Sequence, residues 1–312
     1  MHTLSPAHET MRRGYALGLL GVAVFALTLP MTRLATGTPE TPQLGGLYIA
    51  TGRAVVAATL SALYLLAVHA PRPTRGQWPA LAWVALGVVF GFPICTSIAM
   101  RHVEAVHASV IVGVLPLATA AVGALLQGQR PSAGFWLCAL GGTGLVVSYA
   151  VLRSGGAGLS LHPADGLLLL AMLCAAVGYA HGARLAQEMP ATHVICWALL
   201  LSLPLTLPLT LWTWPQQAVS AAAWGGFAYT AVFSMWLGFF AWYQGLALGG
   251  TVRVSQLQLL QPFMSMLFAV PLLGERLDAL TLGCGLAVIA LVYAGRKMPI
   301  HALPTTAQGR PT

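Results

Sequence analysis

Residues 251–276 read TVRVSQLQLLQPFMSMLFAVPLLGER. The stretch is long and apolar, is broken midway by Pro262, and closes on Gly274-Glu275-Arg276. A weaker copy stands at 105–130, AVHASVIVGVLPLATAAVGALLQGQR. A constant shift of 146 residues lays Ser109 on Ser255, Pro116 on Pro262, Leu126 on Leu272, Gly128 on Gly274 and Arg130 on Arg276. The shared residues are punctuation: a mid-helix proline and the loop that ends the helix. A proline inside a membrane helix removes a backbone hydrogen bond, so a matched pair implies shared geometry. Interrupted apolar segments at corresponding places in two halves are the sequence mark of a transporter's binding site.

Composition agrees. Of 312 residues, 57% are hydrophobic and only 7% are charged, against about 25% charged in ordinary soluble domains. That excludes a soluble enzyme. The net charge of +8 does not indicate nucleic-acid binding, because the basic residues stand singly between apolar runs, where membrane topology accounts for them. The five cysteines (Cys95, Cys138, Cys174, Cys196 and Cys284) all fall inside apolar runs, without a CxxC or zinc-ligand spacing, and read as small packing residues. Neither a metal nor a cofactor is expected.

Apolar runs near the ~20 residues of a membrane helix occur at 14–32, 44–68, 79–100, 105–126, 133–152, 165–186, 192–212, 221–247, 251–273 and 279–295. The expected fold is an all-α membrane protein of ten transmembrane helices in two inverted five-helix repeats. Residues 1–13 are expected to be a disordered tail, 14–152 the first repeat, 153–163 a Gly/Ser-rich linker, 164–297 the second repeat and 298–312 a disordered tail. Arg12-Arg13 before an apolar run resembles a signal peptide. However, 14–35 also resembles 165–186, both ending Arg-Leu-Ala, so the run is kept as a membrane helix.

With the N-terminus inside, the inner segments hold Arg12, Arg13, Arg72, Arg75, Arg130, Arg184, Arg253, Arg296, Lys297 and Arg310, and the outer loops only Arg33, Arg101, Arg153 and Arg276. Both termini are thus expected in the cytoplasm. An odd number of helices per half makes the repeat inverted, the arrangement that permits alternating access. Trp78, Trp136, Trp212, Trp214 and Trp224 stand near predicted helix ends, as an aromatic belt would.

These features resemble the drug/metabolite transporter superfamily, specifically the EamA family of ten-helix exporters. The pattern shared is a duplicated five-helix unit whose fourth helix carries a central proline and ends near Gly-Glu-Arg: Pro262 with Gly274-Glu275-Arg276, and Pro116 with Gly128-Gln129-Arg130. Gln129 departs from the usual glutamate. Arg53 in the second helix also resembles a family feature. The resemblance spans 14–297. It implies a central cavity lined by both halves, buttressed by the fifth and tenth helices, and export of amino acids, metabolites or drugs across the bacterial inner membrane.

Several residues are candidates for substrate binding. Arg53 lies nine residues into its run, about 13 Å deep at 1.5 Å per residue. An ionisable group at that depth is functional by default, and its guanidinium fork suits a carboxylate; a structural arginine bonded to carbonyls is the other reading. Ser255, Gln258 and Gln261 step every three residues along one face, either as ligands or as interhelical glue. Val112 and Leu115 occupy the corresponding places in the first copy, so this face is asymmetric. Trp236, Phe240 and Tyr243 share a helical face, as cavity wall or as core packing. Tyr179 and His181 lie toward the cytoplasmic end of the sixth helix.

Two function classes compete: a secondary transporter, and an intramembrane enzyme acting on lipid or peptide. No membrane run holds an acidic pair, a His-rich cluster or a GxSxG, which favours transport. The expected partners are a small-molecule substrate, an amino acid or analogue, and the lipid bilayer, with no nucleic acid; the chain is compatible with a monomer or a homodimer. No acid falls in a predicted bilayer centre, so the expectation is export without strong ion coupling.

Overall fold

Hydrocarbon offers a backbone no hydrogen-bond partners, so an apolar run satisfies its own by coiling. The computed structural model describes residues 6–37, 41–99, 113–153, 164–273 and 279–302. In it, α1 (Pro6–Ala26) and α2 (Thr28–Thr36) form one broken rod, followed by α3 (Gly46–Ala67). Next comes a second rod of α4 (Trp78–Val84), a π-helical segment (Ala85–Gly91) and α5 (Phe92–Ala99). α6 (Leu115–Leu126), α7 (Ala133–Arg153), α8 (Ala164–Leu185) and α9 (Ala191–Trp212) follow. A third composite rod is α10 (Ala221–Tyr229), a π-helical segment (Thr230–Leu237) and α11 (Gly238–Gly249). The quoted stretch becomes α12 (Thr251–Val254), a 3₁₀ segment (Ser255–Leu260) and α13 (Gln261–Leu273), and α14 (Ala279–Arg296) closes the bundle.

Among the described residues, eight helices are long and apolar enough to cross a membrane, and Leu115–Leu126 is a shorter apolar helix. The protein is therefore an all-α, multi-pass membrane protein. Its surface carries exposed leucines, with Leu125 81% and Leu137 71% accessible, while Trp242, Tyr243 and Phe135 are buried. This is the distribution of a bundle solvated by lipid.

Several boundaries differ from the sequence expectation. Residues 6–13, expected to be disordered, are the first turns of α1, because Glu9 and its neighbours continue the helix ahead of the apolar run. The C-terminal tail is ordered as far as Ala302: β2 (Ile300–Ala302) pairs antiparallel with β1 (Gln129–Pro131). Most of the 153–163 linker and Gly274-Glu275-Arg276 lie outside the described residues.

The packing partners follow a pattern. The first rod (α1, α2) lies against the third (α10, α11), and α8 lies against the second (α4, α5). α3 packs on α9, α7 on α14, and α6 on α12 and the 3₁₀ segment. Numbering the apolar runs one to ten, exchanging one-to-five with six-to-ten leaves this set of pairs unchanged. The π segments and the starts of α6 and α13 follow the 146-residue shift to within one residue. The π segments begin at Ala85 and Thr230 and end at Gly91 and Leu237, and α-helices start at Leu115 and Gln261.

The two ends of the bundle differ in charge. At one end Arg253 Nη2 donates to the Met298 carbonyl (3.1 Å), Arg296 lies over Tyr15 (5.6 Å), and β1 brings Arg130 alongside. At the other, Gln217 Nε2 donates to the Pro42 and Gln43 carbonyls (3.0 Å each) and the Ser220 amide donates to Gln43 Oε1 (2.8 Å). The segments 41–45 and 213–220 that meet there carry no charge.

α1 and α11 approach through small residues. Gly14 and Gly18 face Gly245 and Gly249, each pair spaced four apart. A Cβ on Gly245 would stand 2.5 Å from the Gly18 amide nitrogen, and one on Gly14 would run into that of Gly249. Such contacts replace hydrophobic drive between membrane helices with close van der Waals packing. Gly245→Leu is expected to cost the ~1–3 kcal/mol typical of overpacking or more. In detergent this should lower the melting temperature by several degrees, whereas Gly225→Ala, where nothing lies within 4 Å, should leave it unchanged.

Candidate functional site

Three helices bring one polar cluster into the bundle interior. α3 supplies Arg53, α8 supplies Tyr179 and the 3₁₀ segment supplies Gln258. α3 begins at Gly46, so Arg53 sits seven residues in, about 10 Å along the axis at 1.5 Å per residue. That is shallower than the run's apparent start suggested, but still within the span. Its Nε is buried without a hydrogen-bond partner. Tyr179 is buried and lies within electrostatic range of the guanidinium, and its hydroxyl neighbours the Gln258 amide. Gln258 is 4% exposed and its Oε1 has no partner.

The local geometry explains why glutamine spacing matters here. Side chains at i and i+3 eclipse in a 3₁₀ helix, so Ser255 and Gln258 stand in line, and Gln261, first residue of α13, extends the row. Ser255 is fully buried and donates to the Val252 carbonyl (3.1 Å). Gln261 is partly buried. Pro116 and Pro262 each occupy the second position of a regular α segment, α6 and α13, where the missing N–H costs least. Residues 101–112 ahead of Pro116 lie outside the described residues.

Sequence reasoning passed over Gln256, which is off the three-residue row. Its Nε2 donates to the Pro116 carbonyl (3.1 Å) and lies 3.5 Å from Ser255 Oγ. It therefore ties the proline of one half to the broken helix of the other. The signal was present as two glutamines in Ser-Gln-Leu-Gln, but only one could be on the stripe.

The aromatic row divides. Trp236 and Phe240 pack together (5.1 Å) and against Tyr64 of α3, at 6.2 and 5.5 Å. The Trp236 Nε1 makes no well-formed hydrogen bond, although the Cys196 thiol is close. Tyr243 goes elsewhere. It is fully buried, its hydroxyl donates to the Gly178 carbonyl (3.4 Å), and its ring covers Gly182. Tyr243 is thus packing between α11 and α8, and does not continue a wall begun by Trp236. Trp242, also missed, is edge-on to Tyr179 (5.6 Å). His181 lies outside the cluster, stacked on Trp83 (6.1 Å).

Chemically the cluster offers a cation, a phenol and an amide whose hydrogen-bonding capacity the protein leaves partly unused. Among the described residues, no group of three His, Cys, Asp or Glu is placed to hold a metal ion. The two glutamines should respond unequally to substitution. Gln256→Leu strands a buried carbonyl and should destabilise by roughly 1–3 kcal/mol. Gln258→Leu takes the amide from beside the Tyr179 hydroxyl but strands no backbone carbonyl, and should cost less. Thermal unfolding of both variants in one detergent checks this.

Three comparisons bear on the whole. The model of the EamA-like transporter family matches residues 12–150 and again 162–295. An uncharacterized transporter, YdeK, of Bacillus subtilis (strain 168) is 40% identical over 286 residues, which cover 91% of this chain and 97% of that protein. A protein known by its crystal structure superposes with a TM-score of 0.73 over 91% of this chain and 98% of its own, at 16% identity, which shows a shared fold.

Proposed function

The chain belongs to the EamA-like transporter family, and from that premise we propose that it is a secondary transporter exporting small amphipathic metabolites that bear a carboxylate, amino acids or their analogues. Membrane transport follows from the family; the substrate, the direction and the mechanism are our reading. One observation carries the substrate class: the Arg53 Nε is buried and unpartnered beside Tyr179 and Gln258, whose Oε1 is unpartnered as well. Buried donors and acceptors are normally satisfied. An arginine that meets no acid among the described residues, next to an amide with spare capacity, suits a ligand carrying both a carboxylate and a hydrogen-bond donor. Arg53 takes the carboxylate, Gln258 and Tyr179 orient the polar end, and Trp236 and Phe240 receive the apolar part.

Alternating access is supported by the exchange of packing partners between the halves and by the matched irregular segments at Ala85–Gly91 and Thr230–Leu237. π-helical turns recur at functional sites and supply places where a rod can flex. Ten helices in two inverted repeats, with both termini cytoplasmic, remain our reading. The gathering of Arg130, Arg253 and Arg296 at one end of the bundle supports that orientation.

Two experiments test the proposal. In an export assay with protein levels matched, Arg53→Ala should abolish efflux of an amino-acid substrate, and Arg53→Lys should retain a small part, since a point charge cannot reproduce the fork. Full activity from Arg53→Ala removes the carboxylate anchor. For coupling, counterflow in proteoliposomes should proceed without a pH or sodium gradient. Uphill accumulation driven by a pH gradient, and lost in His181→Ala, would show histidine-mediated proton coupling instead.

A further inference from the structure

A second polar site lies away from the Arg53 cluster, on the outside of the bundle. α8 presents Leu170, Leu173, Val177, His181 and Arg184 in one row at spacings of three or four, which is one helical face, and Glu188 follows in the turn just past the helix end. Leu170 and Leu173 are about half exposed, as lipid-facing leucines are. Tyr179, from the opposite face, points into the interior. The row therefore runs from an acyl environment into a charged one while staying on the perimeter. α4 and its π segment line the other side with Trp83 (51% exposed) and Leu86 (53%).

Where the two helices diverge there is a cavity of about 220 Å³, lined by Gly76, Pro79, Trp83, His181, Arg184 and Glu188. His181 and Trp83 form its floor, stacked at 6.1 Å with planes 15° apart. Arg184 and Glu188 are exposed at its rim, and among the described residues Glu188 accepts a long 3.5 Å bond from Gln77 Nε2. His181 is four residues from the end of α8 and Trp83 five from the start of α4, so the floor lies about 6–8 Å inside the helix ends. That is the depth at which lipid headgroups meet acyl chains.

We propose that this cavity binds the headgroup of a zwitterionic phospholipid, phosphatidylethanolamine in type. The phosphodiester sits on Arg184 and His181, a pairing that arginine geometry favours. The ammonium sits between the Glu188 carboxylate and the face of Trp83, which attracts cations. One acyl chain then lies along Leu173 and Leu86. The rim supplies one fixed positive and one fixed negative charge, which matches a zwitterion; Arg72 and Arg75 in the adjoining loop are exposed to the aqueous side. The site is separate from the Arg53 cluster, so the proposal stands or falls independently of the transported substrate.

Native mass spectrometry of the purified protein, titrated with phosphatidylethanolamine, phosphatidylglycerol or phosphatidylcholine, tests it. One phosphatidylethanolamine should be retained most tightly. Arg184→Gln should weaken it about fivefold, in line with the worth of one basic residue at a lipid surface. Glu188→Lys should invert the preference toward phosphatidylglycerol. Both residues are exposed, and unchanged melting in detergent confirms that the variants are folded. Equal retention of all three lipids by the wild type, or unaltered lipid preference in both variants, overturns the proposal. Displacement of the lipid by millimolar serine would also overturn it, showing that the zwitterion held there is a soluble amino acid.

Discussion

A backbone in hydrocarbon has nowhere to turn but inward, and the architecture of this protein answers that one constraint. Regular helix meets it automatically. Every departure from regular helix exposes amide and carbonyl groups that some side chain or neighbouring turn must meet. Two of the departures among the described residues have polar attendants from across the bundle. Where the first rod breaks between Ala26 and Thr28, Tyr229 donates to the Val24 carbonyl (3.1 Å) and Thr28 pairs with Ser234 (2.8 Å). Both partners come from the third rod, near or within its own π segment. Where the proline of α6 interrupts, Gln256 reaches its carbonyl. Breaks in one half are thus served by residues of the other.

That interdependence has a consequence for the site. The two halves match in helix order, packing partners and the placement of the π segments, yet they do not match in polarity. Gln258 and Gln261 correspond to Val112 and Leu115. Arg53 and Tyr179 come from opposite halves, but the amide row comes from one alone. A pseudo-symmetric scaffold with a one-sided lining can hold a ligand in a single orientation, which a zwitterion with unlike ends requires. A symmetric lining would admit either orientation and could not separate the carboxylate from the apolar group.

The helices were legible because their signal is length and apolarity, which a bilayer imposes regardless of detail. The row Ser255, Gln258, Gln261 was legible for a subtler reason: its period of three is the period of the 3₁₀ segment it occupies. The π segments left no comparable trace, because a wide turn is decided by how neighbouring helices meet. The strand pairing of 129–131 with 300–302 was equally silent, since it depends on two chain segments more than 160 residues apart. The meeting of Arg53, Tyr179 and Gln258 required the relative register of three helices, which periodicity within each cannot supply. Tyr243 shows the converse failure. It does lie on the face of α11 that Trp236 begins, but the rod crosses from α3 to α8 over those two turns. One face therefore meets two neighbours, and only Trp236 and Phe240 stay with α3.

The ends of the bundle are closed by different means, and the difference bears on how it could move. Toward the basic end, Gly14 and Gly18 meet Gly245 and Gly249, while Gly87 and Gly178 approach each other closely. Backbone contacts of this kind have no side chains that could repack, so they behave as fixed seams. The uncharged end is held by hydrogen bonds from Gln217 and Ser220 to the segment around Gln43, and by Tyr48 packed against Trp214 and Phe227. Those are side-chain contacts at a water-exposed rim, where a broken hydrogen bond is readily replaced by water. Opening this end costs less than parting the glycine seams. The π segment Ala85–Gly91 carries the Gly87 seam itself, whereas Thr230–Leu237 holds none of these seam glycines, so the wide turn of the third rod is where bending leaves the seams shut. On the alternating-access reading proposed above, the basic end would open without separating α1 from α11 or α8 from the second rod, each pair moving as a unit.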